Sequence, residues 1–302
     1  MKKTLIILLL ISLLAVSGCS QDNAEEKPTI AVGIPPLAGF MDKIAGDNFD
    51  IVVLIPAGNS PANYQPAAME MQQLSEAEIY FTLQMPTEEA NILPKAPDFN
   101  KDLNIINLRE EVSKVYPLVE VTGHSHDEDH EDEEPGHEDE MSVDPHLWLS
   151  PLRSIEMVRI MAEALSELDP ENSDLYESNA SEYIDELKAL DSHIRETVEN
   201  LENRTFMIYH GSYTYFADDY GFEMIALEVA GKQATASEIQ EVIEHAMEEN
   251  INVVFYQDEF DDNQARTVAA EINGRVEKVS PLSRDYVTAL SEFLDILAGK
   301  DD

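Results

Sequence analysis

The stretch from Ser173 to Leu201, SDLYESNASEYIDELKALDSHIRETVENL, predicts one long amphipathic helix. Its apolar residues recur at intervals of three and four, which is the spacing of a single helix face. They are Tyr176, Ala180, Tyr183, Leu187, Leu190, Ile194, Val198 and Leu201. About 28 helical residues span roughly 42 Å, which exceeds the length of a typical domain helix. We therefore expect a rigid beam between two lobes; a solvated helix of a bundle is the alternative.

On both sides of this helix, short apolar strands alternate with amphipathic helices. The strands predicted before it are 29–34, 49–55, 77–83 and 103–108, and those after it are 204–209, 222–227, 251–256 and 276–279. A further helix is predicted from Ser237 to Glu249, with Ser237 as its N-cap. Such alternation indicates parallel βαβ units. The expected fold class is α/β, with two (βα)4-like lobes joined by the long helix.

The N-terminus has the pattern of an exported lipoprotein. Lys2 and Lys3 precede an apolar run of 12 residues, 5–16, which is too short to span a bilayer. The segment that ends at Cys19 resembles a lipobox; an ordinary signal peptide with a chance cysteine is the alternative. We expect a signal peptide (1–18), a lipid-anchored tether (19–28), an N-terminal lobe (29–170), a linking helix (171–202) and a C-terminal lobe (203–302).

The overall charge limits the classes of partner. The 302 residues carry a formal net charge of −42. A surface this acidic repels phosphate backbones, so we expect no nucleic-acid partner. Life in high salt favours the same acidity. Motifs of common enzymes, namely HExxH, the Walker loop, GxSxG and GxGxxG, do not occur in the sequence. We therefore do not expect an enzyme.

Residues 123–140 form an acidic tract of unusual composition. The tract holds ten acids, no base and four of the chain's eight histidines. These histidines are His124, His126, His130 and His137. Imidazole and carboxylate groups together favour divalent-metal binding. The alternative is a solvated insertion without a function.

Two other histidines stand in ordered surroundings. His146 follows Asp144-Pro145 at the start of a predicted helix, and His210 ends a predicted strand of the second lobe. Ligands in open α/β sheets bind beyond the carboxyl ends of the strands. The two histidines are thus candidates to face each other across a cleft; a histidine in either position, taken singly, is more often an ordinary polar residue.

Several motifs together resemble the metal-binding lipoproteins that serve as solute receptors of zinc and manganese ABC importers. The resemblance covers nearly all of the mature chain and includes the lipobox and the tract. Its other motifs are Gly58-x-x-Pro61-x-x-Tyr64-x-Pro66, Asp144-Pro145-His146-Leu147-Trp148-Leu149 and His210-x-x-x-x-Tyr215-Phe216-Ala217-x-x-Tyr220-Gly221. The resemblance implies two lobes joined by a rigid helix, with a metal-site cleft between them.

The resemblance also implies a function. It implies an extracytoplasmic receptor that delivers metal to the permease of an ABC importer, with His146 and His210 as ligands. Imidazole ligands favour zinc over manganese, although manganese or another divalent metal remains an alternative. We expect a monomer held to membrane lipid through Cys19, on the cell-surface or periplasmic side of the cytoplasmic membrane.

Two ligands that the resemblance leads us to expect are replaced in this sequence. Ala62 follows Pro61 where a histidine is expected, and Ser280 precedes Pro281 where an acid is expected. Zinc normally takes about four ligands. The additional candidate ligands are His124, His126, His130, His137, Glu259 and Asp285. The alternative function is a lipoprotein with the same fold and a degenerate metal site, acting as an adhesin or partner-binding module.

Overall fold

The computed structural model describes residues 27–122, 141–229, 232–233 and 235–300. These residues form two α/β lobes with a long helix between them, which confirms the predicted fold class. The predictions for the signal peptide, for Cys19 and for the tract 123–140 lie outside the described residues.

The first lobe contains a four-stranded parallel sheet with the order β2-β1-β3-β4. Its strands are β1 (Thr29–Val32), β2 (Asp50–Val53), β3 (Ala77–Thr82) and β4 (Asn104–Asn107). Its helices are α1 (Pro35–Ala45), α2 (Ala68–Ser75), a π-helical turn (Glu88–Ile92), α3 (Ala96–Phe99) and α4 (Leu108–Ser113). Helix α1 begins at two prolines, which fit the first helical turn because its N–H groups have no partner within the helix.

A short antiparallel hairpin leads from the first lobe to the long helices. It pairs β5 (Glu120–Thr122) with β6 (Met141–Val143). The Asp144-Pro145-His146 segment follows it directly and enters a 3-10 turn, Leu147–Leu149. Helix α5 (Pro151–Leu168) comes next and stops two residues before Pro170, since proline disfavours a helical conformation in the residue before it.

The linking helix α6 (Ser173–Glu199) is 27 residues long, about 40 Å. Its buried face is the predicted one and packs on α1, α5 and the C-terminal helix α10 (Tyr286–Leu297). Asn179 donates its side-chain N–H to the main-chain oxygen of Ile44 at 3.0 Å, which ties α6 to the first lobe. Helices of the described part of the chain all fall short of the length or the apolar character needed to cross a membrane.

The second lobe contains a five-stranded sheet with the order β11-β10-β7-β8-β9. Its strands are β7 (Thr205–His210), β8 (Glu223–Val229), β9 (Lys232–Gln233), β10 (Val253–Gln257) and β11 (Arg275–Val279). All neighbouring strands are parallel except β8 and β9, which are antiparallel. The sequence pattern does not predict β9. The remaining helices are α7 (Thr214–Tyr220), α8 (Ala236–Glu248) and α9 (Asn263–Glu271).

One large hydrophobic cluster runs through both lobes. The ring of Phe40 in α1 lies 5.1 Å from that of Tyr286 in α10, and Phe293 of α10 lies 5.5 Å from Phe206 of β7. An ion pair at 2.6 Å joins Arg284 to Asp42 on α1. The lobes therefore share packed contacts, and the cleft between them lies at the carboxyl ends of the sheet strands.

Candidate metal site

His146 is held in one orientation by Asp144. The main-chain N–H of His146 donates to Oδ1 of Asp144 at 2.8 Å, and Nδ1 of its ring lies 2.9 Å from the same oxygen. Asp144 is buried, and its main-chain oxygen accepts a hydrogen bond at 2.8 Å from the hydroxyl of Tyr215 in α7. Because Tyr215 belongs to the second lobe, contacts from both lobes fix this segment.

The Asp144 carboxyl favours its charged form. Burial by itself raises the pKa of Asp144, but the His146 imidazole and the hydrogen bonds from His146 outweigh it, so the pKa lies below its ordinary value. An ionised Asp144 accepts a hydrogen bond from the Nδ1–H group of His146. The lone pair of Nε2 is then free for a metal ion, as in the carboxylate–histidine pairs of zinc proteins.

His210 has a matching arrangement at the end of β7. Its Nδ1 is hydrogen-bonded to Oε2 of Glu228, the residue opposite it on β8, which is buried. On the other side, the side chain of Gln257 at the end of β10 accepts from the His210 main-chain N–H at 3.3 Å and donates to its oxygen at 2.6 Å. His210 stands between β8 and β10, where the strand order reverses, and such reversals form ligand crevices.

The two imidazoles face each other across the cleft. Their Nε2 atoms are 3.4 Å apart, and the ring centroids are 5.2 Å apart at an interplanar angle of 73°. Trp148 lies 5.3 Å from the ring of His146, and Phe260 lies 4.9 Å from the ring of His210. The residues brought together by folding are thus the two that the sequence pattern predicts as ligands.

The cleft has a volume of about 670 Å³ and is lined by residues of both lobes, Ala62 and Glu259 among them. Within the described ranges, no group of three or more His, Cys, Asp or Glu side chains is arranged to hold a metal ion. The two nitrogens of His146 and His210 are therefore the donors that this part of the chain already holds together.

The other candidate ligands have different surroundings. Ser280 donates its hydroxyl to Oδ2 of Asp258 at 2.8 Å, so it is engaged at the end of β11. Asp285 does not belong to the cleft lining; its carboxylate accepts from the main-chain N–H of Thr288 at 3.4 Å, because it caps α10. His124, His126, His130, His137 and Cys19 lie outside the described residues.

Glu259 lies in the cleft wall and is half-buried. Burial raises the pKa of Glu259 above its ordinary value, and the charge of Asp258 raises it further, whereas His210 lowers it. Glu259 is therefore electrostatically coupled to one member of the histidine pair.

Two residues that orient His210 are not predicted from the sequence. Glu228 and Gln257 hold His210 from the neighbouring strands, and both are buried. The only signal for Glu228 is an acid near the end of the apolar run EMIALEV. For Gln257 the signal is a polar residue at the end of VVFYQ.

The family model described as the periplasmic zinc-uptake complex component A, ZnuA, matches residues 30–299. The chain belongs to this family. Among curated ZnuA-type relatives, the zinc-binding lipoprotein AdcA of Streptococcus pneumoniae serotype 4 (strain TIGR4) is 27% identical over 285 residues, covering 93% of this chain and 56% of AdcA. The chain thus spans about half the length of the AdcA relatives that it matches. The zinc uptake protein ZnuA of Bacillus subtilis is 25% identical, covering 87% of this chain and 81% of that protein.

Solved structures of the ZnuA family share the fold. A ZnuA deletion mutant with zinc bound has a TM-score of 0.78 at 32% identity, covering 90% of this chain and 97% of that chain. The periplasmic zinc-binding protein TroA of Treponema pallidum has a TM-score of 0.76 at 18% identity, covering 90% and 98%. The two-lobed architecture with a linking helix is therefore that of the family.

Proposed function

We propose that this chain is the zinc-binding receptor of an uptake system and that His146 and His210 are ligands of the transported ion. The observation that carries the proposal is the 3.4 Å distance between their Nε2 atoms. Zn–N bonds of about 2.0–2.1 Å at a tetrahedral angle separate two ligand nitrogens by about 3.3–3.4 Å. The pair therefore has the spacing that a tetrahedral zinc ion requires.

The electrostatics of the pair support the same function. Two Nε2 lone pairs at this distance repel each other unless a cation lies between them. The carboxylates of Asp144 and Glu228 accept hydrogen bonds from the Nδ1–H groups of His146 and His210. Each imidazole therefore presents its basic Nε2 atom to the cleft. A buried carboxylate behind each histidine also strengthens its attraction for a divalent cation.

The cellular setting completes the proposal. The receptor is an extracytoplasmic monomer, anchored to membrane lipid through Cys19, and it passes zinc to the permease of an ABC importer. The names of the relatives support this setting, since they include a zinc-binding lipoprotein and a high-affinity zinc uptake protein. We further propose that the histidines of the tract 123–140 gather additional zinc, because they multiply the available imidazoles.

Trp148 provides a test that is specific to the cleft, because it is the only tryptophan and lies 5.3 Å from His146. We expect zinc to change the Trp148 fluorescence of the mature wild-type protein. The double variant H146A/H210A should lose this change and bind less zinc by elemental analysis. The double variant H193A/H245A removes the same number of imidazoles outside the cleft lining and should respond like the wild type.

An unchanged fluorescence titration and an unchanged zinc content in H146A/H210A would overturn the proposal. A cleft that binds neither zinc nor manganese in the wild-type protein would instead favour the degenerate-site alternative, a lipoprotein that acts as an adhesin or partner-binding module. Growth under zinc limitation provides the physiological readout: the wild-type gene should restore growth of a strain that lacks it, and the H146A/H210A gene should not.

A further inference from the structure

The histidine pair leaves a zinc ion short of ligands, and the geometry points to Glu259 as the residue that supplies the third protein ligand. This inference rests on the proposed function, because it assumes that the ion binds between His146 and His210. It adds a residue that replaces the donors missing at Ala62 and Ser280, and it defines the donor set as two imidazoles and one carboxylate.

The carboxylates in the cleft wall differ in whether they have partners. Within the described part of the chain, the wall contains Glu89, Asp144 and Glu259. Glu89 forms an ion pair with Arg109 at 2.8 Å, and Asp144 accepts from His146. Glu259 forms no ion pair and no side-chain hydrogen bond with another described residue. Its carboxylate is hydrogen-bonded to its own main-chain N–H. Of these three acids it is therefore the one that no other described residue holds by an ion pair or a hydrogen bond.

Glu259 lies close to the end of the strand that carries His210. It follows β10, the strand beside β7, and His210 ends β7. Gln257, two residues earlier, is clamped to the main chain of His210, so the end of β10 is fixed against the end of β7. Phe260, the next residue, lies with its ring 4.9 Å from the ring of His210. Gln257, two residues before Glu259, and Phe260, directly after it, thus both contact His210.

The position directly after β11, where the family resemblance leads us to expect an acid, holds Ser280. Gln257 is the register partner of Val279, so the segments after β10 and β11 emerge together at the same edge of the sheet. Ser280 occupies the β11 side of this edge and is bonded to Asp258. Asp258 is further engaged by Lys278 at 2.8 Å, so it is not available to a metal. Glu259, which follows the neighbouring strand β10, is the acid left to serve the cleft.

The ligand role requires the Glu259 side chain to turn toward the histidine pair, because the three groups do not yet form a metal-ligating cluster in the described structure. The movement gives up the hydrogen bond to the main-chain N–H of Glu259 itself and breaks no ion pair with another described residue. The resulting set of two histidines and one glutamate leaves the fourth position of a tetrahedral zinc ion to water. An exchangeable position of this kind suits an ion that has to be released again.

The main test is a zinc titration followed by Trp148 fluorescence, using the full mature protein. E259Q keeps the shape of the side chain and removes its charge, and it should weaken cleft binding by at least about tenfold, because even a residue that only orients a zinc ligand contributes about ten- to a hundredfold in affinity. D258N changes the adjacent, already engaged acid and should change the affinity by less than about threefold. Equal affinities of E259Q and the wild type would overturn the inference.

A second variant separates a ligand role from a purely electrostatic one. E259H offers a nitrogen donor without a negative charge and should recover part of the affinity that E259Q loses. Cobalt bound in place of zinc reports the coordination geometry through its visible absorption spectrum. E259H should shift this spectrum, and E259Q should weaken the absorption that is typical of tetrahedral cobalt. An E259H variant that binds no better than E259Q, with the E259Q spectrum, would argue against coordination.

The two proposals fail in different ways. If H146A/H210A keeps the fluorescence response, zinc does not bind between the two histidines, and the proposal of a third ligand fails with the proposed function. If H146A/H210A loses the response while E259Q keeps the wild-type affinity, the histidine pair stands and only the role of Glu259 is wrong. In that case the remaining ligands come from water or from other parts of the chain.

Discussion

At the scale of single residues, this protein relies on buried carboxylates that hold other groups in place. Asp144 and Glu228 orient the two histidines, and a third buried acid, Glu88, organises the end of β3. Its oxygens accept hydrogen bonds from the hydroxyl of Tyr80 at 2.5 Å and from the main-chain N–H groups of Leu83 at 3.1 Å and Met85 at 2.8 Å. Burial raises the pKa of Glu88, although these hydrogen bonds oppose the rise.

The E228Q substitution tests the orienting role of the carboxylate behind His210. Glutamine keeps the shape of the side chain but lacks the charge that fixes the Nδ1 proton. We expect the zinc affinity of the cleft to fall about ten- to a hundredfold, as for other partners of zinc ligands. Fluorescence titration of Trp148 measures the affinity, and circular dichroism checks that the fold is kept. An unchanged affinity would contradict the role.

The E88A substitution should destabilise the first lobe. It leaves the Tyr80 hydroxyl and two main-chain N–H groups buried without an acceptor, each at a cost of about 1–3 kcal/mol. We expect the free energy of unfolding to fall by about 3 kcal/mol or more. The adjacent E89A is the matched control: its half-exposed ion pair with Arg109 should contribute less than about 1 kcal/mol. Urea denaturation compares the two variants, and similar losses would refute the assignment.

Gly33 next to Glu88 illustrates how closely this region is packed. A Cβ atom at Gly33 would lie 2.2 Å from Oε1 of Glu88, so a larger residue would push the carboxylate out of its hydrogen bonds. The end of β3, which leads into the cleft wall at Gln84 and Met85, thus depends on a glycine and a buried acid that have no contact with the histidine pair.

At the scale of elements, the hairpin β5–β6 determines how the acidic tract joins the fold. Thr122 is the register partner of Met141, so the two ends of the tract meet at neighbouring positions of one hairpin. Val121 and Ser142 also line the cleft. The two points at which the tract joins the fold thus lie beside the histidine pair.

Replacing residues 123–140 with Asn-Gly should leave the fold intact. Asn-Gly forms the two-residue turn that closes an antiparallel hairpin, and the ends of β5 and β6 already face each other. We expect zinc stoichiometry to fall while the Trp148 response of the cleft persists. The variant H124A/H126A/H130A/H137A keeps the acids and separates the effect of the imidazoles from that of the charge. Equal stoichiometry in all three proteins would show that the tract gathers no zinc.

At the scale of the whole molecule, buried tyrosines link the two lobes and the long helix. Tyr176 of α6 donates to Asp169 at 2.6 Å and accepts from Asn48 at 3.0 Å, whereas Tyr215 of α7 donates to the main chain of Asp144. Burial is the main cause that raises the pKa of Tyr176 to about 12 and that of Tyr215 to about 12. The hydrogen bonds that link the lobes and the long helix are thus donated by tyrosine hydroxyls, which must remain protonated to donate them.

These tyrosines predict a loss of stability in alkali. In the unfolded chain tyrosine has a pKa of about 10, so above about pH 10 the unfolded state loses protons that the folded state retains. The stabilisation is complete below about pH 10 and disappears as the pH rises toward about 12. Urea denaturation between pH 8 and 11 at constant ionic strength measures this trend. Y176F should show a smaller decline, and a flat profile for the wild type would contradict the prediction.

The sequence predicts the elements of the fold better than their details. The alternating apolar runs and the buried face of α6 follow from local periodicity, which a single chain displays directly. Weaker signals mislead: the N-cap of α8 is not Ser237 but Thr235, two residues earlier, which forms a capping box with Glu238. Helix α4, the hairpin β5–β6 and the edge strand β9 are too short to produce a periodic pattern.

What the sequence by itself determines is that two histidines in family-specific motifs, His146 and His210, are the candidate ligands. What only the tertiary structure decides is their meeting at 3.4 Å, with Glu228, Gln257 and Glu259 around His210. These neighbours come from different strands, and their proximity depends on strand order and register rather than on local spacing. Sheet topology is a long-range property, so the order β11-β10-β7-β8 alone brings these side chains to one edge.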